Sequence, residues 1–186
     1  LDLPPLTEQS IIFENARGSD DEKQFRECIT LEDVRLKLSH TGEHFATRRR
    51  EDAIRKVDKC VEYIKDVMLH KKKLVVFAYH REVIESLKEK LGKKFKVVTI
   101  IGGMSTKQRT MAIAGFQNGD AEIIIVNIKA GGEGITLTAA DTNIIMEIDV
   151  TPGVMEQVKA RSHRISQTKP VHIIYLFEDK TIDAHI

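Results

Sequence analysis

The chain is poor in cysteine, lacks a long apolar run and carries almost no excess charge. Its two cysteines, Cys28 and Cys60, form no Cys-x-x-Cys motif, which favours a reducing intracellular compartment. No apolar run approaches the roughly 18 residues of a membrane span, so no membrane partner is expected. Because the formal net charge is only +1, any contact with nucleic acid must come from locally placed cations.

The composition is that of an ordinary globular domain. The chain has 186 residues, of which 41% are hydrophobic and 31% are charged. It begins with Leu1 and stops at Ile186 inside what looks like an unfinished helix. We therefore expect it to be a piece of a longer protein, and a monomer in this form.

Hydrophobic patterning predicts strands that alternate with helices. Apolar runs predict strands at residues 9–13, 74–79, 95–101, 123–127, 143–148 and 171–176. Helical periodicity covers residues 52–70 and 83–91, and Ser105 with Gln108 has the form of a capping box that opens a helix through Phe116. This alternation predicts an α/β fold with an open, mostly parallel sheet and helices on both faces. We divide the chain into a strand and irregular lead-in, residues 1–50, and an α/β domain, residues 51–186.

Open parallel sheets bind ligands beyond the carboxyl ends of their strands. The loops after Tyr79, Ile101, Asn127 and Ile148 are therefore expected to line one functional edge. Residues 129–137 form one of these loops, KAGGEGITL, whose glycines allow a tight turn with N–H groups facing phosphate oxygens. Many glycine-rich loops are only turns, and this one has no Walker-type Gly-Lys-Ser/Thr ending.

A cationic run near the C-terminus is the most informative segment. If residues 157–167, QVKARSHRISQ, are helical, Gln157, Arg161 and Arg164 share one face at spacings i, i+4 and i+7. Two guanidinium groups and an amide on one face suit a polyphosphate, because arginine stays ionised and pairs oxygens bidentately. The alternative is a solvated helical face.

These segments together resemble a known family. Residues 129–141, KAGGEGITLTAAD, and 157–171, QVKARSHRISQTKPV, are similar to motifs V and VI of the Swi/Snf-type DNA translocases of helicase superfamily two. Residues 73–80, KLVVFAYH, resemble motif IV, and GGMS at residues 102–105 resembles the segment that follows it. The motifs occur in the family's order, and the similarity is greatest to the annealing-helicase-like branch.

The resemblance implies the second of two RecA-like lobes, with ATP bound between them. Arg161 and Arg164 would then be arginine fingers to the γ-phosphate. The nucleotide-binding residues that it implies are Gln157, Gly134 and Thr136. His163 would orient Arg164 or pack against the lobe.

Double-stranded DNA is the second partner that the resemblance implies. The residues expected to contact the phosphates of one strand are His80, Gly103, Ser105, Lys129 and Gly131. Backbone N–H groups, hydroxyls and a lysine hold a duplex without reading its sequence, which a translocase requires. The resemblance accordingly implies a bacterial cytoplasm or nucleoid, or a eukaryotic nucleus.

In the family, the first lobe supplies the phosphate-binding lysine and the Asp-Glu pair for magnesium. Neither motif occurs in this sequence. We therefore expect ATP and Mg²⁺ to be shared with a first lobe, and the chain alone to lack ATPase activity.

Several positions depart from the family pattern, and two alternatives stay open. Ala160, Ser166 and Thr136 stand where the family usually has aspartate, glycine and asparagine. Ala160 and Thr136 favour a degenerate nucleic-acid-binding scaffold, but both arginines and the loop glycines remain, so an active enzyme is the better interpretation. An RNA-directed helicase of the same superfamily is the other alternative, although the HRIxQ ending of the run points away from it.

Other polar clusters carry no functional prediction. His40 and His44 have i, i+4 spacing but lack further ligands for zinc, so no metal site is predicted. The runs at residues 48–50 and 71–73 are taken as solvated charge, with DNA contact as the lesser alternative. No spacing argument makes Glu147 or Asp149 a catalytic base.

Overall fold

Six strands form a single, all-parallel sheet. The computed structural model describes residues 3–14, 28, 30–42, 44–130, 135–179 and 181–185. The strands are β1 (Leu6–Phe13), β2 (Leu74–Ala78), β3 (Val97–Ile100), β4 (Ile123–Asn127), β5 (Thr142–Ile145) and β6 (Val171–Glu178). They lie in the order β1-β6-β5-β2-β4-β3, and every neighbouring pair is parallel. The predicted open α/β sheet is confirmed.

Helices connect the strands and cover the sheet on both faces. They are α1 (Leu31–Thr41), α2 (Phe45–Arg55), α3 (Val57–Val67), α4 (Arg81–Leu91), α5 (Thr106–Gln117) and α6 (Pro152–Lys159), followed by a 3₁₀ helix at Ile182–His185. Alternate residues of β2 belong to two separate hydrophobic clusters. Leu74, Val76 and Ala78 pack with α3 and α4, whereas Val75 and Phe77 pack with residues of α5 and α6.

The capping box predicted at the start of α5 is confirmed. The Ser105 hydroxyl accepts a hydrogen bond from the Gln108 N–H at 3.2 Å, and the Gln108 side chain accepts one from the Ser105 N–H at 2.9 Å. The pair satisfies two N–H donors that a helix terminus otherwise leaves without partners.

The continuous helix predicted for residues 52–70 is wrong in one respect. Two helices, α2 and α3, meet at Lys56, a turn residue that keeps right-handed dihedral angles and whose N–H donates to the Asp52 and Ile54 carbonyls. The Lys56 side chain is buried, and its ammonium reaches the Leu176 carbonyl at 3.0 Å and the Asp183 carboxylate. The break therefore coincides with a tertiary contact that periodicity does not register.

Strand β1 and helix α2 join the first fifty residues to the sheet. β1 pairs with β6 over its whole length, from Leu6 with Val171 to Phe13 with Glu178, and α2 runs across residue 50. The division of the chain at residue 50 stays a prediction.

Candidate functional site

A cavity of about 560 Å³ lies at the carboxyl ends of β2, β4 and β5. It is lined by Arg49, Phe77, Tyr79, Ile128, Lys129, Asp149, Val150, Thr151, Val154, Gln157, Val158 and Arg161. Three of these side chains are cationic and one is acidic, so the cavity suits an anion. The loops after Tyr79, Asn127 and Ile148 line it as expected, but the loop after Ile101 does not, because it follows the edge strand β3.

Gln157 and Arg161 are brought together in this cavity. Helix α6 begins at Pro152, and its Val154 and Val158 face the same space. Arg161 follows the end of the helix and is buried, with 8% of the residue exposed. The Gln157 amide and the Arg161 guanidinium, which were predicted to share one face, therefore both line the cationic cavity.

Arg164 lies elsewhere, and the expectation that it shares a helix face with Gln157 and Arg161 is wrong. It lines a second hollow of about 570 Å³ together with Thr136, His163 and Ile165. Its Nη1 donates to the Thr136 hydroxyl and its Nε to the Ala160 carbonyl, each at 2.9 Å. Helix α6 has ended at Lys159, so the i+7 relation no longer applies.

The chain leaves the helix after Lys159 because tertiary hydrogen bonds hold it against residues 137–143. The Leu137 N–H donates to the Arg161 carbonyl at 2.9 Å. The buried Ser162 hydroxyl donates to the Asn143 side chain at 2.9 Å, and the Gln167 amide donates to the Ala140 carbonyl at 2.9 Å. These contacts fix the segment on which both arginines lie.

His163 is placed by the N-terminal segment. Its Nε2 lies 2.7 Å from the Pro4 carbonyl oxygen. The ring thus packs against residues that lead into β1, and no contact with Arg164 is recorded among the described residues. Of its two predicted roles, the structure favours packing.

A buried carboxylate, Glu147, holds the loop that follows β2. Its Oε2 accepts hydrogen bonds from the N–H groups of Tyr79 at 2.7 Å and His80 at 2.9 Å, and its Oε1 pairs with His80 Nδ1. Burial alone would raise the pKa of Glu147, but the hydrogen bonds and the interaction with His80 outweigh it and leave the pKa below its usual value. The predicted strand 143–148 consequently ends early, at Ile145.

Lys129 lies at the edge of the cavity, on a loop fixed by Asn127. The Asn127 amide donates to the Tyr79 carbonyl at 2.8 Å, and its oxygen accepts from the Lys129 and Ala130 N–H groups at 2.9 and 3.1 Å. The Lys129 ammonium is 4.6 Å from the centre of the Tyr79 ring. The hydrogen bond with Tyr79 raises the pKa of Lys129, so the Lys129 ammonium stays protonated at neutral pH.

Gly103 and Ser105 follow β3 and do not line the cavity. Gly103 has a φ of 85°, a left-handed conformation that favours glycine, and Ser105 is the cap of α5. Both residues are exposed beside the same edge of the sheet. Gly131 and Gly134, the remaining predicted contacts, lie outside the described residues.

Arg49 lines the cavity although the sequence did not predict it as a site residue. It lies on α2, is 8% exposed, and donates through Nη2 to the Ile148 carbonyl. Its guanidinium carbon is 4.1 Å from the centre of the Tyr79 ring. The only signal in the sequence was the run Arg48-Arg49-Arg50, and nothing in that run shows which of the three arginines is buried.

Helix α2 is anchored by a buried ionic network. Asp52 Oδ1 lies 3.2 Å from Arg48 Nε and 3.0 Å from Arg55 Nη2, and Asp52 Oδ2 accepts from the Ile182 N–H at 3.3 Å. Arg55 also pairs with the buried Glu178 at 2.9 Å. The network fixes α2, and therefore Arg49, relative to the end of β6.

Asp52 makes the stability of this network depend on pH. Burial raises the pKa of Asp52 from 3.8 to about 6, against the opposing effect of Arg48 and Arg55. Between these pH values the folded protein holds a proton that the unfolded chain releases, so this group lowers the free energy of unfolding as pH rises. We expect the free energy of unfolding of Asp52→Asn, relative to that of wild type, to rise by about 2.4 kcal/mol between pH 4 and pH 7.

Chemical denaturation at a series of pH values measures this difference. Asp58→Asn is the control, because Asp58 is exposed and pairs with Lys90 at the surface. A difference between wild type and Asp52→Asn that stays constant across this range would contradict the raised pKa.

The sheet and the site together define a class of protein. An all-parallel sheet with helices on both faces, a cationic cavity at the carboxyl ends of its strands and two arginines on the segment after α6 are the features of a RecA-like nucleotide-binding lobe. The helicase conserved C-terminal domain model matches residues 55–166, and the chain belongs to this family.

Its relatives are Swi/Snf-type proteins. The chain is 32% identical over 176 residues to SWI/SNF-related matrix-associated actin-dependent regulator of chromatin subfamily A-like protein 1 from Xenopus tropicalis, covering 93% of this chain and 17% of that protein. It is 32% identical over 138 residues to the DNA annealing helicase and endonuclease ZRANB3 from Homo sapiens, covering 73% of this chain and 13% of that protein. The chain thus spans less than a fifth of the length of these relatives.

A solved structure agrees with this assignment. The crystal structure of the C-terminal part of the Fun30 ATPase domain matches with a TM-score of 0.60 and 29% identity, over 71% of this chain and 43% of that one. The predicted resemblance to the C-terminal lobe of Swi/Snf-type superfamily two enzymes is confirmed. Within the described residues, no helix is both long and apolar enough to cross a membrane.

Proposed function

We propose that the chain supplies the C-terminal half of an ATP site in an ATP-dependent DNA translocase or helicase. Arg161 and Arg164 act as arginine fingers, and Gln157, Thr136 and Gly134 lie at the nucleotide. His80, Lys129, Gly103, Ser105 and Gly131 contact duplex DNA. The first RecA-like lobe is the partner that completes the site, within an intracellular protein.

The observation that carries the proposal is the cationic cavity at the carboxyl ends of the strands. Arg161, Lys129 and Arg49 line it beside the Gln157 amide, and Asp149 is the one acidic side chain among the described lining residues. Guanidinium groups in a partly desolvated site stabilise the charge that develops during phosphoryl transfer. Arg164 lies on the same segment as Arg161, and its guanidinium bonds to Thr136 in the second hollow. In this proposal it approaches the nucleotide from that hollow.

The described residues fit a nucleotide but do not assemble a magnesium site. Three cations suit the phosphates of ATP, whereas Asp149 is the one carboxylate that lines the cavity, and its Oδ1 accepts from the Thr151 N–H at 2.8 Å. Among the described residues, no group of three metal-ligating side chains is assembled. When bound, magnesium would neutralise phosphate charge from the first lobe's side. This chain's own part is to bind and orient the phosphates.

Contact with DNA follows from the same loops. Glu147 fixes the N–H groups of Tyr79 and His80, and Asn127 fixes the backbone of Lys129. A rigid loop with an exposed ammonium holds a phosphate without reading a base. The name of one relative, a DNA annealing helicase and endonuclease, supports DNA as the nucleic acid.

Hydrolysis should require both lobes. The chain alone is expected to show no ATPase activity, whereas a protein that joins it to a first lobe should hydrolyse ATP in a manner stimulated by duplex DNA. A phosphate-release assay on both proteins, with duplex DNA, duplex RNA and no nucleic acid, measures this. Hydrolysis by the chain alone would contradict the shared site.

The same assay separates the remaining alternatives. Stronger stimulation by RNA than by DNA would favour an RNA-directed helicase. No hydrolysis by the joined protein under any condition would favour a degenerate scaffold. The Arg164 guanidinium, which already bonds to Thr136 and to the Ala160 carbonyl, is the observation in favour of the scaffold.

A further inference from the structure

We propose that Arg49 is a phosphate-binding residue of the cavity, which forms one anion subsite with Lys129 and Arg161. The inference deepens the proposed function and rests on it for the identity of the phosphate ligand. Arg49 precedes residues 55–166, the part of the chain that the helicase family model matches. The subsite thus draws on a lead-in helix that the family assignment does not cover.

The first argument is the position of the two cations nearest to Tyr79. The Arg49 guanidinium carbon and the Lys129 ammonium lie 4.1 and 4.6 Å from the centre of the same ring. Each cation is stabilised by the ring, but the two repel each other, and Arg49 acts to lower the pKa of Lys129. A phosphate bound near both cations would relieve that repulsion.

The second argument is the balance of charge in the cavity. Of the lining residues that the structure describes, Arg49, Lys129 and Arg161 are cationic and Asp149 is acidic. Cations therefore outnumber carboxylates in the described lining, which favours a phosphate group, since it is negatively charged at neutral pH. The walls also include Phe77, Ile128, Val150, Val154 and Val158, which weaken solvent screening of these charges.

The third argument is that Arg49 is held in place before any ligand arrives. Its Nη2 donates to the Ile148 carbonyl, and its helix is anchored through Asp52 and Arg55. A guanidinium has five N–H donors in a planar fork, so one bond to a carbonyl leaves further donors for phosphate oxygens. A preorganised donor binds without losing the conformational entropy of a flexible side chain.

Two phosphate sources share this chemistry: the phosphate chain of a nucleotide and the backbone of DNA. Calorimetric titration of the 186-residue chain with inorganic tripolyphosphate probes the first. Titration with a mixed-sequence DNA duplex at several salt concentrations probes the second. Both are equilibrium binding measurements on the chain, so they can fail or succeed independently of ATP hydrolysis by the longer protein.

Arg49→Gln is the test variant and Arg50→Gln is its matched control. Arg50 is the next residue on the same helix, but it is exposed and pairs with Glu82 at 3.1 Å. If Arg49 contacts a nucleotide phosphate, Arg49→Gln should weaken tripolyphosphate binding about tenfold. If it contacts DNA, the slope of log K against log salt should become shallower by about 0.9. Arg50→Gln should change neither value.

Arg49→Lys separates binding from folding. It keeps the charge without the fork, so it is expected to retain the DNA salt slope and to lose part of the tripolyphosphate affinity, less than Arg49→Gln loses. Thermal unfolding of each variant identifies any that fails to fold. If Arg49→Gln does not fold, a partial loss of tripolyphosphate affinity in Arg49→Lys is the test. Equal loss in Arg49→Gln and Arg50→Gln, no loss in either, or no binding of either probe by the wild-type chain would overturn the proposal.

Discussion

Replacement of Arg164 by alanine is expected to lower kcat for DNA-stimulated ATP hydrolysis by about 10³-fold or more. The measurement is made on a protein that joins this lobe to a first lobe. An arginine finger stabilises charge that appears in the transition state, so kcat should fall while KM changes little. Thr136→Ala removes the hydroxyl that holds the Arg164 Nη1 at 2.9 Å, and it should cause a smaller loss in the same direction.

Arg81→Ala is the control for this prediction. Arg81 is an exposed arginine on α4 that pairs with Glu85 at 2.9 Å, and its removal should leave kcat unchanged. A kcat of Arg164→Ala close to that of wild type would contradict the assignment of Arg164 as an arginine finger. A fall caused only by weaker ATP binding, seen as a raised KM, would contradict it equally.

Removal of the Asp183 carboxylate is expected to cost about 3–5 kcal/mol of folding free energy, because it leaves the Lys56 charge buried without its partner. Lys56 is 1% exposed, and its ammonium contacts Asp183 and the Leu176 carbonyl at 3.0 Å. Urea denaturation of Asp183→Ala and wild type measures the difference.

Two further variants test the physical cause of that loss. Asp120→Ala removes an acid that pairs with Lys96 at the surface, where both side chains are mostly exposed, and it should leave the urea midpoint almost unchanged. The double variant Lys56→Met with Asp183→Ala removes the buried charge as well and should recover most of the stability. A double variant as unstable as Asp183→Ala would show that lost packing, rather than an unpaired charge, is responsible.

Much of the fold could be predicted because its signals are local. Continuous apolar runs such as residues 74–78 and 123–127 are typical of strands that are buried on both faces, and both are strands here. The capping box at Ser105 fixes the start of α5 from two side chains three residues apart. The break at Lys56 could not be predicted in this way, because the contacts that its side chain makes there are with Leu176 and Asp183, far along the chain.

The site could be predicted in part. Gln157 and Arg161 do line the same cavity, but Gln157 lies on α6 whereas Arg161 follows the end of that helix, so they are not on the single helix that was expected. Arg164 diverges because Ser162 and Gln167 bond to Asn143 and Ala140, and these long-range hydrogen bonds end the helical path. A spacing rule assumes that one helix continues, and it fails where tertiary contacts terminate that helix.

The roles of Arg49 and Glu147 could not be predicted from the sequence, for a different reason. Their importance comes from the loops they contact, namely those that carry Tyr79, His80 and Ile148. No residue pattern near Arg49 shows that a helix will bring it against a ring 30 positions later. Only the sheet order, which places β5 beside β2, brings these loops to one cavity.

The pairing of β1 with β6 has a consequence for biosynthesis. Leu6 lies beside Val171 and Phe13 beside Glu178, so among the described strands the first to be synthesised pairs with the last. At ordinary rates of translation, β1 waits roughly 10 to 35 seconds for that partner. Until then β5 is an open sheet edge, and the nascent lobe is a target for chaperones and for aggregation. A ribosome that stalls before β6 therefore releases a lobe that cannot complete its sheet.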